Sequence, residues 1–144
     1  MAEQYDPKQI ARLRQVLHQA QGLELLWLTG LEHVPWFETA ARDQPLARLD
    51  QAAGSDRLEW LKNHLRQNRV EGDFLFRMND FGSIPWARVR LDSHFVWLDA
   101  ITADSNDLSF IAPNYTLRLD LRLTTTACEI YRWRHTPFDL DTDE

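Results

Sequence analysis

Residues 115–123 read YTLRLDLRL, with Tyr115, Leu117, Leu119, Leu121 and Leu123 alternating with Thr116, Arg118, Asp120 and Arg122. Successive side chains of a strand point to opposite faces, so this period of two predicts a half-buried antiparallel strand rather than a helix. One face belongs to a core. The other meets water or a partner.

Working outward, residues 126–134 form the next strand, joined to the first by a hairpin at Thr124 and Thr125. Upstream, Pro113 and Asn114 mark a turn after a strand at 108–112, and a polar loop covers 102–107. Residues 94–101 read as a further strand, entered from a tight turn at Asp92 and Ser93. Before it, Ala87, Val89 and Leu91 alternate with Arg88, Arg90 and Asp92 in a strand over 84–91, which the turn NDFGS at 79–83 connects to a strand at 74–78. Proline cannot donate to a sheet ladder, so Pro85 places its strand at an edge or lies near a strand end. Six consecutive strands with short connections predict an antiparallel meander.

The first half of the chain follows a different period. Asp6 before Pro7 is a helix start, because the carboxylate accepts from free amide groups while proline suits the first helical position. Ile10, Leu13, Val16, Leu17 and Ala20 then form one stripe of a helix that Gly22 ends in a left-handed turn. Residues 23–29 (LELLWLT) are too short to type by periodicity; strand and helix both fit, and we read them as helix. Val34, Pro35, Trp36 and Phe37 suggest a turn opening a short helix within 32–44, and Pro45 opens another over 46–53, closed by Gly54. Ser55 caps a helix from Asp56 to about Arg69 with Leu58, Leu61 and Leu65 inward. The expected class is α+β, with N-terminal helices packed on a roughly six-stranded antiparallel meander. Residues 1–136 form a single domain and 137–144 an acidic flexible tail.

Composition bounds the function. A chain of 144 residues is about one domain, and its apolar fraction of 44% and charged fraction of 26% are those of a globular protein. Cys128 is the single cysteine, the N-terminus lacks the apolar stretch of a secretory signal, and no apolar run is long enough to span a bilayer. We therefore expect a cytoplasmic protein with no membrane contact. The fourteen arginines against two lysines suggest a GC-rich bacterial genome. Net charge is -6 and uneven: residues 1–72 carry nine basic and ten acidic side chains, residues 73–144 seven and twelve. Asp139, Asp141, Asp143 and Glu144 make up the acidic tail. Such a balance repels phosphate backbones, so we expect no nucleic-acid partner and a basic protein partner instead.

Six tryptophans are many for this length. Trp27, Trp60 and Trp97 are assigned to the core, where large rings fill the space between helices and sheet. Trp86 shares a strand face with Arg88, and Tyr131 and Trp133 alternate with Arg132 and Arg134. Tryptophan, tyrosine and arginine are the residues enriched in binding hot spots, which makes Trp86, Arg88, Arg118, Arg122, Tyr131 and Trp133 the candidate partner-binding set. For catalysis, His94 with Asp99 is the pairing the sequence offers as general base and acid, beside a pocket of Trp36, Phe37, Trp97 and Tyr115. No histidine or cysteine spacing suits zinc, and no glycine loop suits a phosphate, so neither metal nor cofactor is expected. Cys128, mid-strand, reads as a buried inert thiol. The expected function is therefore non-catalytic protein binding, of the kind a small bacterial immunity or antitoxin-type inhibitor uses against a basic toxin or nuclease. The alternatives are a small-molecule-binding domain or small enzyme, and a subunit of a larger assembly or homodimer pairing through the Pro85 edge or the last strand.

Overall fold

The computed structural model describes residues 6–29, 46–50, 54–81, 84–112 and 116–134. In chain order the elements are α1 (Pro7–Gln19), β1 (Leu23–Thr29), β2 (Ala47–Asp50), α2 (Gly54–Gln67), β3 (Gly72–Met78), a 3-10 turn (Asn79–Phe81), β4 (Trp86–Leu91), α3 (Val96–Thr102), β5 (Asp107–Ile111), β6 (Leu117–Leu123) and β7 (Ala127–Arg134). The class is α+β, with an antiparallel sheet of seven strands in the order β1-β4-β3-β5-β6-β7-β2.

Five of the six expected strands are present; two further ones join and one segment changes type. Leu23–Thr29 is a strand, not a helix: its leucines favour helix locally, but pairing with β4 and burial of Leu23 decide the matter. Residues 47–50 are likewise a strand, paired with Ile130, Glu129, Cys128 and Ala127 of β7. Residues 96–102 form a helix in place of the expected strand. Trp97, Leu98 and Ile101 are its buried stripe, and the Asp92 carboxylate accepts from the His94 and Phe95 amides at 3.1 and 3.2 Å where the chain turns into it. The β5, β6 and β7 run is a meander. By contrast β1 and β2, consecutive strands, lie at opposite edges of the sheet. Pro85 precedes β4, an interior strand, so it marks a strand start. Helix α2 begins at Gly54, so Ser55 lies within its first turn rather than ahead of it as the expected cap. The expected turn at Pro113 and Asn114, the short helix within 32–44 and the tail 137–144 lie outside what the structure describes.

The main core lies between the helices and one face of the sheet. Leu13, Val16 and Leu17 of α1, Leu61 and Leu65 of α2 and Trp97, Leu98 and Ile101 of α3 meet Phe74, Phe76 and Met78 of β3, Ala87, Val89 and Leu91 of β4, and Leu108, Phe110, Leu119, Leu121 and Ile130. Asp6 caps α1 through a 3.0 Å bond from the Lys8 amide. The α1–β1 turn closes by the Leu23 amide donating to the Ala20 carbonyl at 3.2 Å, with Gly22 at φ 91.

Two backbone positions yield opposite predictions. A Cβ on Gly22 would sit 2.5 Å from the Asp92 carboxylate as well as in the left-handed region, so Gly22→Ala should cost about 2 kcal/mol in urea unfolding. Arg69 ends α2 at φ 56, with the Val70 amide donating to the Leu65 carbonyl at 3.0 Å, a cap that favours glycine. Arg69→Gly should stabilise by about 0.5–1 kcal/mol, read the same way.

Candidate functional site

Strand registers assemble the face of the sheet turned away from the helices. One row crosses six strands: Trp27 opposes Arg88, Arg88 opposes Leu75, Leu75 opposes Ile111, Ile111 opposes Arg118 and Arg118 opposes Trp133. The row is nearly symmetric, with an aliphatic pair at the centre, an arginine on each side and a tryptophan at each end. Both arginines lie over their tryptophans, Arg88 at 5.5 Å from the Trp27 ring and Arg118 at 5.2 Å from Trp133. Such contacts use the negative ring face and the apolar arginine stem together.

The next row is polar. Arg77 opposes Ser109, Ser109 opposes Asp120 and Asp120 opposes Tyr131. Arg118 grips the Asp120 carboxylate with two bonds at 2.9 and 3.1 Å. Asn79 donates to Ser109 at 2.7 Å and to Asp107 at 2.9 Å, and Arg77 donates to Asn79 at 3.0 Å. A third row pairs Asp107 with Arg122 and Arg122 with Glu129, which is bridged to Arg48 at 3.0 Å and accepts from the Tyr131 hydroxyl at 2.7 Å.

All six residues of the expected partner-binding set therefore share this face, but they differ in access. Trp86 and Tyr131 are buried, as are Leu75, Ile111 and Asp120, and Trp133 is half-buried against them. Arg122 is exposed. Among the described residues the aromatic most open to solvent is one assigned to the core from the sequence: Trp27 is 54% exposed. A β-bulge is the reason. Leu25 pairs with core-facing Val89 while Trp27 pairs with outward Arg88, so the extra residue Leu26 flips Trp27 out of the face it would share with Leu23 and Leu25. Around it, Arg90 bridges Asp73 at 3.1 Å and Glu24 at 3.5 Å, and Arg88 lies 3.8 Å from Asp73. Reading 23–29 as a helix hid this position, and no residue type announces the bulge.

The other expected site is not assembled. His94 is exposed on the turn before α3, and Asp99 is bridged to Lys62 at 3.0 Å rather than to the imidazole. Trp97 is fully buried against Phe95 and Phe110, at 6.0 and 5.8 Å between ring centres; Trp36, Phe37 and Tyr115 lie outside the described residues. Among the described residues no three His, Cys, Asp or Glu side chains gather as metal ligands, and no helix is long and apolar enough to cross a membrane. Burial raises the Cys128 thiol pKa, with Arg57 opposing, which disfavours the reactive thiolate. Burial likewise lowers the pKa of His64, which packs edge-on against Trp60 at 4.6 Å. Among the described residues, open concavities lie at the β1 edge and at the end of α2. One groove of about 620 Å³ between α1 and β1 is lined by Arg14, Gln15, His18, Leu23, Glu24 and Leu25.

No protein family, curated protein or solved structure matches the chain.

Asp120 is fully buried and its arginine partner only 13% exposed at the side chain. Removing one member of a buried pair leaves the other uncompensated. Asp120→Ala should lower stability by about 3 kcal/mol, measured by urea unfolding.

Proposed function

We propose that the chain is a non-catalytic protein-binding domain that engages a basic partner at the Trp27 rim of the outer sheet face. The observation that carries this reading is the exposure of Trp27. A large ring is held open to solvent at a sheet edge, backed by Arg88 and flanked by the Glu24–Arg90–Asp73 ion pairs. That combination, a fixed aromatic inside a polar ring, is the composition of a binding hot spot. The buried part of the face acts differently: Trp86, Tyr131 and Asp120 hold the sheet in shape rather than touch a partner.

Net charge supports a basic partner, since the chain carries -6 overall. Long-range attraction of that sign raises association rates with basic proteins. A small acidic domain that occludes a basic toxin or nuclease, as an immunity or antitoxin-type inhibitor does, fits this chemistry, and it places the protein in the cytoplasm of the cell it protects.

The test is capture of binding proteins from the producing cell's lysate on the immobilised chain and on its Trp27→Ala variant. The expected result is one stoichiometric basic protein, shed as salt rises. Its dissociation constant should weaken about thirtyfold or more in Trp27→Ala, the loss of a hot-spot side chain. A partner that binds both forms equally, or a ligand of low mass in place of a protein, would overturn the reading.

A further inference from the structure

The two edges of the sheet are built differently. At one edge, β2 has four residues, and its Arg48 is bridged to Asp50 and Glu129. A short, charged edge discourages further pairing. At the other edge, β1 has seven residues, carries one charge, Glu24, and pairs among the described residues with β4 alone. Its regular stretch before the bulge, Leu23 to Leu25, is the part that borders the α1 groove.

The wall that α1 gives this groove carries basic and no acidic side chains, the reverse of the chain's balance. Helix α1 holds Lys8, Arg12, Arg14 and His18 and no carboxylate. Arg12 is engaged over the Phe81 ring at 4.4 Å, whereas Arg14 and His18 are exposed on the groove wall with Gln15 between them. Glu24, the acid at its mouth, is bridged to Arg90 on the outer face. The floor is Leu23 and Leu25.

We infer that this edge is a second docking site, which takes an extended acidic segment of a partner protein as an added strand on β1. The unpaired main-chain groups of a strand edge are best met by another strand, and a groove between an edge strand and a helix admits every second side chain of the added segment. Aspartate or glutamate at those positions meets Arg14 and His18 above the Leu23 and Leu25 floor. A second copy of this chain suits the edge poorly. Two β1 strands joined about a two-fold axis would set two acid-free α1 helices side by side, and like charges repel there. The site lies across β1 from the Trp27 rim and does not rest on the function proposed above.

A displayed library of random nine-residue peptides, selected on the full chain, tests this. The expected winners carry acids at alternate positions and slow hydrogen exchange of the β1 amides. Their affinity should fall about tenfold or more in Arg14→Glu and by less in Arg14→Gln, and stay within about threefold in Trp27→Ala. No enrichment, enrichment of lysine- and arginine-rich peptides, protection of other amides, or indifference to Arg14→Glu would each overturn the inference. So would concentration-dependent protection of β1 without any peptide, which would assign the edge to a second copy. A lost effect at Trp27 with these results intact would sink the proposed function alone.

Discussion

The ion pair between Arg118 and Asp120 lets this sheet bury the middle of its outer face. Every strand offers its alternate residues to that face, and in β6 those residues are charged. A buried carboxylate without a counter-charge costs several kcal/mol, and two bonds at 2.9 and 3.1 Å supply the counter-charge within one strand. Because both residues belong to β6, the pair itself survives a slip of register. Its surroundings do not. Arg118 also reaches Ser109 of β5 at 3.4 Å, and Ser109 and Asp107 are held by Asn79 from the turn after β3. A slip by one residue would strand these polar atoms and turn Leu119 and Leu121 outward, so the polar row and the apolar core select the same pairing.

The row of Trp27, Arg88, Leu75, Ile111, Arg118 and Trp133 sits on that framework. At its β7 end, Trp133 stacks on Tyr131 with rings 6.3 Å apart and 16° from parallel, and so is sheltered. At its β1 end nothing comparable among the described residues covers Trp27. The same chemical pair, a guanidinium over an indole, is thus structural on one side of the sheet and available on the other. The bulge at Leu26 creates the difference: a regular β1 would send Trp27 into the core with Leu23 and Leu25.

Much of the sheet was legible in the sequence because its signals are local. Period two in 117–123, the hairpin at Thr124 with its Ala127 partner, and Asp6 with Pro7 at the start of α1 each depend on a few neighbouring residues. The misread segments depend on distant ones. Leu23 to Thr29 is a strand because β4 lies beside it, and Ala47 to Asp50 because β7 does. Val96 to Thr102 departs from the expected strand for the opposite reason. Its apolar residues suit either type, and the Asp92 carboxylate, by accepting two amides, turns the chain away from the line of β4 where the helix follows. The candidate face was legible as a set of residue types but not in its exposure. Trp86 and Trp27 look alike in sequence, and only the sheet order and one extra residue bury the first and expose the second.

Net charge is the weakest guide to local recognition in this molecule. Screening confines a charge to about 10 Å at ordinary ionic strength, so a docked segment responds to the side chains beside it and not to the total of -6. Along β1 those side chains differ on the two faces of the sheet. Toward α1 the wall is arginine and histidine over leucine; toward the outer face the neighbouring side chain is Glu24, which attracts a cation. A strand laid on this edge alternates between the two fields at each residue. Such an edge discriminates by the order of charges in a segment rather than by their sum, because a register shift of one residue exchanges every attraction for a repulsion.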